Sequence, residues 1–138
     1  MFKNTTGIYT FDTYEQLTNK TAIYQKSIDD YVDELEIPDD NKKADLKNLL
    51  GAIYEILGIT GEAGELANKM KKVLRDNYGK LTEETMKNLS DENGDVTWYN
   101  ARIFKRFKSS FQKGVESNIA KLINRAMSNT IKGSGDNR

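Results

Sequence analysis

The stretch Glu62-Ala63-Gly64-Glu65-Leu66-Ala67 contains two carboxylates, Glu62 and Glu65, three residues apart. The apolar residues around them recur with the period of an α-helix. Residues at this spacing lie side by side on one face of an α-helix. A second doublet, Glu92-Asn93-Gly94-Asp95, repeats the spacing further along the chain. Clustered carboxylates repel one another and resist burial, and the commonest reason for them to converge is a hard divalent cation such as Mg²⁺. The two doublets therefore predict neighbouring helices with a metal site between them.

The apolar positions around each doublet indicate where its carboxylates point. Around the first doublet the apolar side chains are Ala63, Leu66, Ala67, Met70, Val73 and Leu74, and around the second they are Leu89, Val96, Tyr99, Ile103 and Phe107. At about 100° per residue, Glu62 flanks the first stripe and Glu65 lies further round. Glu92 falls within roughly 40° of the centre of the second stripe, and Asp95 lies at its edge. A buried carboxylate is costly unless it is compensated, so Glu92 predicts a metal ion or a basic partner.

Glycines accompany both acidic doublets. Gly58, Gly61 and Gly64 recur every three residues around an expected helix start, and Gly94 lies between the two acids of the second doublet. A glycine inside a helix costs about 1 kcal/mol relative to alanine. Its presence at both sites predicts close approach of two helices, or room for a ligand beside the backbone.

The rest of the chain predicts an all-α fold, a helical bundle of about five helices. Proline occurs once, at Pro38, and Lys, Glu, Leu and Ala are abundant. The first expected helix begins at Asp12 or Thr13 and runs past Tyr31 toward Leu35. The second runs from Lys42 to Leu57, and the third runs from Ile59 to Asn77. The fourth runs from an N-cap at Thr82 to Lys108, with or without a break at Ser90, and the fifth runs from Ser110 to Met127. The expected domain covers residues 1–132, and the polar, glycine-rich tail at 133–138 is expected to be mobile.

Composition excludes several classes of function. Lys plus Arg and Asp plus Glu balance at 21 each, which argues against a bulk nucleic-acid binder. The chain has no cysteine and no histidine, so thiolate chemistry, the usual zinc ligands and the usual general base are absent. No apolar run approaches a membrane span and no signal peptide is visible, so we expect a cytoplasmic protein.

Several segments of the sequence resemble a known protein family. The segments LGITGEAGEL at 57–66, DENGDVTWY at 91–99 and NIAKLINR at 118–125 are similar to the MazG-like, all-α nucleoside triphosphate pyrophosphohydrolases, which carry ExxE on one helix and ExxD on the next. The terminal GSGDNR at 133–138 is similar to the tails of the short, single-domain subgroup. The resemblance covers most of the chain, least at 26–48, and departs from the family at Asn93, where many relatives have an apolar residue.

This resemblance implies an activity and an assembly. It implies Mg²⁺-dependent cleavage of a nucleoside triphosphate between the α- and β-phosphates, giving a nucleoside monophosphate and pyrophosphate, in a homodimer or homotetramer that forms a larger helical bundle. The hypothesis is that Glu62, Glu65, Glu92 and Asp95 hold one or more Mg²⁺ ions, for which Mn²⁺ could substitute. One carboxylate, Glu62 or Glu65, then takes the proton of the attacking water.

Several further residues are candidates for substrate contact, each with an ordinary alternative. Lys121 and Arg125 match basic positions of the family and are predicted to contact the β- and γ-phosphates, or else to form a solvated face. Lys69 and Lys72 either contact phosphate or pair along their helix with Glu65 and its neighbours, the favoured reading. Asn118 and Asn124 could each contact a base edge or cap a helix. Trp98 could stack on a base or contact a neighbouring subunit, and Tyr99 could stack on a base, although packing in the core is preferred. Arg138 and the tail could close over the phosphates.

Three other functions remain open from the sequence. The same fold could serve a dUTP-type or phosphoribosyl-ATP-type pyrophosphohydrolase. A non-catalytic, nucleotide-binding helical oligomer could keep the site without the reaction, although the presence of all four carboxylates argues against this. A nucleic-acid-binding protein lacks both net positive charge and a recognisable reading motif.

Overall fold

The structure, a computed structural model, describes residues 9–128 and 130. Every regular element in this part is an α-helix, which confirms the all-α prediction and the count of five. The helices are α1 (Phe11–Thr21), α2 (Tyr24–Glu34), α3 (Asp40–Asp76), α4 (Glu83–Arg106) and α5 (Phe111–Met127). None of them is both long enough and apolar enough to cross a membrane. The tail at 133–138, with Arg138, lies outside the described residues.

The first predicted helix is divided in two, and its start is earlier than predicted. Thr10 is the N-cap of α1, in a capping box with Thr13, so the caps predicted at Asp12 or Thr13 were wrong. The helix ends at Thr21, whose hydroxyl donates to the Thr18 carbonyl and accepts from the Trp98 indole. The break at Ala22 allows α2 to begin in a new direction with a buried tyrosine, Tyr24. The local sequence predicts one continuous helix here, but the helix ends where Trp98, from a distant part of the chain, bonds to Thr21.

The second and third predicted helices are one helix. α3 runs for 37 residues from Asp40 to Asp76, so the helix start predicted near Ile59 was wrong. At Gly58, an added Cβ would lie 2.2 Å from a ring carbon of Tyr99 on α4, which confirms the close approach of helices at this glycine. At Gly61, Gly64 and Gly94 nothing lies within 4 Å of an added Cβ, so the prediction of close approach was wrong for these three glycines. Close packing against α4 offsets the low helix propensity of the glycine, so the helix continues.

The last two helices agree with the sequence. Thr82 caps α4 in a capping box with Thr85, α4 is unbroken at Ser90, and Ser110 caps α5 through the Lys113 amide. α3 and α4 lie antiparallel and form the most extensive helix pair, with α2 against α3 and α1 against α4. The first turns of α5 pack on α1 and α4, where Phe111 contacts Phe11 and Phe104.

A buried polar network lies where α1, α2, α3 and α4 meet. The carboxylate of Glu55 has no exposed surface and accepts two hydrogen bonds from Arg106, from Nε and Nη2, each of 2.8 Å. The Tyr24 hydroxyl also donates to Glu55, and Arg102 donates to Asn19. Gly51 provides the room, since a Cβ there would lie 2.2 Å from the Arg106 guanidinium carbon. This fully paired network joins all four helices.

Candidate metal centre

Three of the four predicted carboxylates converge between α3 and α4. Glu62, Glu65 and Glu92 can each offer one oxygen so that these three atoms lie within 4.8 Å of one another. Opposite ligands of a six-coordinate Mg²⁺ are separated by about 4 Å, so a small adjustment suffices to hold the ion. Glu92 is buried, as its place in the apolar stripe predicted, whereas Glu62 is half-buried and Glu65 is exposed. The donor set is entirely oxygen, which suits Mg²⁺ or Mn²⁺ rather than zinc.

Asp95 lies outside this group of three but acts on it electrostatically. Its side chain is exposed on the turn of α4 that follows Glu92. Its negative charge is one of the causes that raise the pKa of Glu62 above its ordinary value. The geometry therefore brings three of the predicted metal ligands together and leaves the fourth close enough for its charge to matter.

The pKa of Glu62 reflects the crowding of carboxylates. Burial raises it first, followed by the charges of Asp95 and Glu65 and by hydrogen bonding to Glu92. All of these causes disfavour the ionised form. A divalent cation among the same carboxylates would favour the ionised form.

Lys69 reaches into the centre from one side. Its Nζ forms an ion pair with Oε1 of Glu92, and the Asn88 carbonyl lies 3.4 Å from the same nitrogen. The prediction that Lys69 pairs with Glu65 on the same helix was therefore wrong, because its side chain extends across to Glu92 on α4. The buried position of Glu92 in the sequence pattern had already indicated a need for a basic partner.

Beside Lys69 lies a cavity of about 330 Å³ between the end of α3 and the start of α4. Lys69 and Lys72 line it together with Thr85 and Asn88. Lys72 is exposed, so its flexible amine can turn toward an anion in this cavity. The structure thus places one predicted substrate residue, Lys72, in the same cavity as Lys69, the ion-pair partner of Glu92.

The predicted substrate residues of α5 lie elsewhere in the chain. Lys121, Asn124 and Arg125 line a separate depression of about 560 Å³ formed by the end of α5 and Thr130. Asn118 is exposed on the same helix. Within the described part of one chain, no backbone position of α5 comes close to one of α3. The backbone of α5 therefore lies away from the helix that carries Glu62 and Glu65.

The two aromatic residues after the second doublet pack inside the chain. Tyr99 lies against Gly58 and Tyr54, as predicted for its place in the apolar stripe, and burial raises its pKa to about 12. Trp98 points toward α1 and α2, where its indole N–H donates to Thr21 at 2.8 Å and its ring meets Tyr24 edge-on. Both rings therefore have partners in the same copy.

Comparison with known proteins connects the chain to a bacteriophage protein. Over 127 residues it is 35% identical to the Gene 37 protein of Mycobacterium phage L5, which covers 92% of this chain and 97% of that protein. The chain belongs to the family of that phage protein. No protein-family model matches the sequence, and no solved structure matches it. The name of this relative states no activity.

Sequence reasoning missed two features around the site. The Glu55–Arg106 network was not anticipated, although a lone glutamate among apolar residues at 52–57 was its signal. A pocket of about 620 Å³ on the far side of α4, beside Gly94, was also missed. It is lined mainly by aromatic rings, those of Tyr9, Phe11, Tyr14 and Phe111. The aromatic residues spaced along 9–14 were its signal in the sequence.

Proposed function

We propose that this protein is a Mg²⁺-dependent nucleoside triphosphate pyrophosphohydrolase that cleaves between the α- and β-phosphates. The observation that carries the proposal is the convergence of Glu62, Glu65 and Glu92 from two helices to within 4.8 Å. Such a cluster suits a cation that in turn binds phosphate oxygens. The resemblance of the flanking segments to the MazG-like family supports the same reaction.

In this proposal Glu62, Glu65 and Glu92 hold the metal, and Asp95 joins them through a change of rotamer. The metal, when bound, neutralises phosphate charge and lowers the pKa of a bound water. Glu62 or Glu65 accepts the proton of the attacking water. The water oxygen bonds to the α-phosphorus as the bond to the bridging oxygen breaks. Pyrophosphate leaves and a nucleoside monophosphate remains.

We further propose that the active form is a homodimer or homotetramer. Large apolar side chains are exposed along both α3 and α5 of a single copy: Ile53, Ile56, Leu57 and Leu74, and Ile119, Leu122, Ile123 and Met127. The apolar stripe expected to pack around the first doublet also includes exposed Ala63, Ala67 and Met70. Exposed large apolar side chains in this number are typical of a protein that associates. A second copy could bring Lys121 and Arg125 to the phosphates.

The test is a product assay with purified protein, Mg²⁺ and each common ribo- and deoxyribonucleoside triphosphate. We expect pyrophosphate and monophosphate in equal amounts, without orthophosphate. Glu65→Ala should lower kcat by at least about a hundredfold because a metal ligand or general base is lost. Glu84→Ala changes an exposed carboxylate in the first turn of α4 and should retain activity within about twofold.

Other outcomes would redirect the proposal. If Glu65→Ala retained the wild-type rate and Mg²⁺ affinity, the assignment of the site would be wrong. Turnover restricted to dUTP or phosphoribosyl-ATP would place the protein with those pyrophosphohydrolases. Metal binding without turnover of any nucleotide would favour the non-catalytic, nucleotide-binding oligomer.

A further inference from the structure

The ion pair between Lys69 and Glu92 occupies a ligand of the proposed metal centre. The lysine approaches from the solvent side, with about 35% of its side chain exposed, whereas only 11% of the Glu92 side chain is exposed. An ammonium group on a flexible stem forms a single-point contact that can exchange. Lys69 is thus the built-in counter-ion of the most buried carboxylate in the centre.

Lys69 and a divalent cation compete for the same carboxylate. Oε1 of Glu92 accepts from the lysine Nζ, and a Glu92 oxygen is also one of the three that can converge on a metal. Like charges this close repel strongly in a partly desolvated site. A metal that takes Oε1 of Glu92 therefore requires the lysine to withdraw from that oxygen.

The adjoining cavity gives the lysine an alternative position. Lys69 already lines it, Lys72 lies one turn away along α3, and Thr85 and Asn88 offer polar groups on the opposite wall. A triphosphate held at the carboxylates through its metal would carry anionic oxygens toward these two ammonium groups.

We propose that Lys69 is an exchangeable positioning residue: it neutralises Glu92 before metal binding and transfers to the triphosphate when the metal–triphosphate complex binds. This inference rests on the proposed function. By linkage, the exchange couples the two binding events. The metal alone binds weakly because it must displace the lysine, and the triphosphate recovers that loss by accepting the lysine. Free metal ions are therefore disfavoured relative to the substrate complex.

The experiment compares wild type, Lys69→Met and Lys71→Met. Lys71→Met is the matched control, because it removes the same charge from an exposed position of the same helix. Free Mn²⁺ is followed by electron paramagnetic resonance to obtain the affinity for the metal alone. Calorimetry then gives the affinity for inorganic tripolyphosphate at saturating Mn²⁺. Melting curves establish that each variant is folded.

Lys69→Met should bind Mn²⁺ alone at least about fivefold more tightly and the tripolyphosphate complex about tenfold more weakly, within the usual range of coupling. Lys71→Met should stay within about twofold of wild type in both. Lys69→Arg is the second variant, since a guanidinium can hold Glu92 in a bidentate pair; it should weaken Mn²⁺ binding.

Each contrary result has a distinct meaning. Unchanged or weaker Mn²⁺ binding by Lys69→Met would overturn the competition. Tighter Mn²⁺ binding with unchanged tripolyphosphate affinity would overturn the transfer and leave Lys69 as a static neutraliser. Absence of Mn²⁺ binding in the wild type and in Lys69→Met would overturn the proposed metal centre itself. Wild-type binding that Glu65→Ala abolishes but Lys69→Met leaves unchanged would overturn this inference alone.

Discussion

Glu55 and Glu92 lie between α3 and α4, and each forms an ion pair with a basic side chain of the other helix. The chemistry of the two basic side chains differs, and so do the roles we infer for the two glutamates. Glu55 is fully buried and held by the planar fork of Arg106 and the hydroxyl of Tyr24. Burial and the bond to Glu55 raise the pKa of Tyr24, so this hydroxyl remains protonated and donates. Glu92 instead has the single ammonium of Lys69. A bidentate guanidinium suits a permanent joint, whereas an ammonium suits a site that exchanges cations.

Replacing Glu55 tests the permanent joint. Glu55→Gln keeps the shape but leaves the guanidinium groups of Arg102 and Arg106 without their buried carboxylate. Breaking one partner of a buried pair typically costs about 3–5 kcal/mol, and we expect a loss of unfolding free energy in that range. Urea denaturation measures it.

The matched control for this measurement is Glu34→Gln, an exposed position at the end of α2. Its effect should lie within about 0.5 kcal/mol of zero. A loss below about 1 kcal/mol for Glu55→Gln would contradict the role of the network in stability.

At the scale of elements, the antiparallel pair of α3 and α4 positions the candidate site. Three contacts occur in order along it: Glu55 with Arg106, Gly58 with Tyr99, and Lys69 with Glu92. The carboxylate cluster lies between the second and third. Because both helices continue unbroken through these contacts, the separation of the two acidic doublets depends on how closely α3 and α4 approach at Gly58.

Gly58→Ala tests this approach. The new methyl group would lie 2.2 Å from the Tyr99 ring, so the helices must separate or the ring must move. We expect a loss of about 1–3 kcal/mol from overpacking, even though alanine is the better helix former. Gly61→Ala is the control, because nothing lies within 4 Å of its added Cβ. This control should be neutral or stabilising by up to about 1 kcal/mol in the same thermal or urea unfolding. Equal effects of the two substitutions would contradict the close approach.

At the scale of the whole molecule, one copy leaves much apolar surface exposed. The first turn of α5 packs through Phe111, and residues 115–124 are all exposed. Among the described residues, no backbone position of this helix comes close to one of α3. An arrangement in which the α5 helices exchange between copies would cover the apolar faces and join Lys121 and Arg125 to the neighbouring carboxylates.

Mixing two inactive variants tests this arrangement, provided that the wild type is active. Glu65→Ala loses the carboxylate and Arg125→Ala loses the cation, so each alone should be nearly inactive. In a statistical mixture of twofold-symmetric dimers, exchange between copies restores one complete site in each mixed dimer, or about a quarter of the wild-type activity. Mass spectrometry of tagged copies confirms that subunits have mixed. Mixed dimers without recovered activity would show that Arg125 serves its own copy or none.

The local sequence predicted the all-α class, the cap at Thr82 and the pairing of carboxylates within each doublet, because hydrogen bonds within one turn and helical periodicity are local properties. The convergence of Glu62, Glu65 and Glu92 was predictable for the same reason, once two neighbouring helices were expected. Only the tertiary structure decided the continuity of α3 through Gly58 and the break after Thr21, because Tyr99 and Trp98 reach these points from another helix. It also decided that Lys69 pairs with Glu92, since a lysine stem spans to either helix and only packing selects the partner.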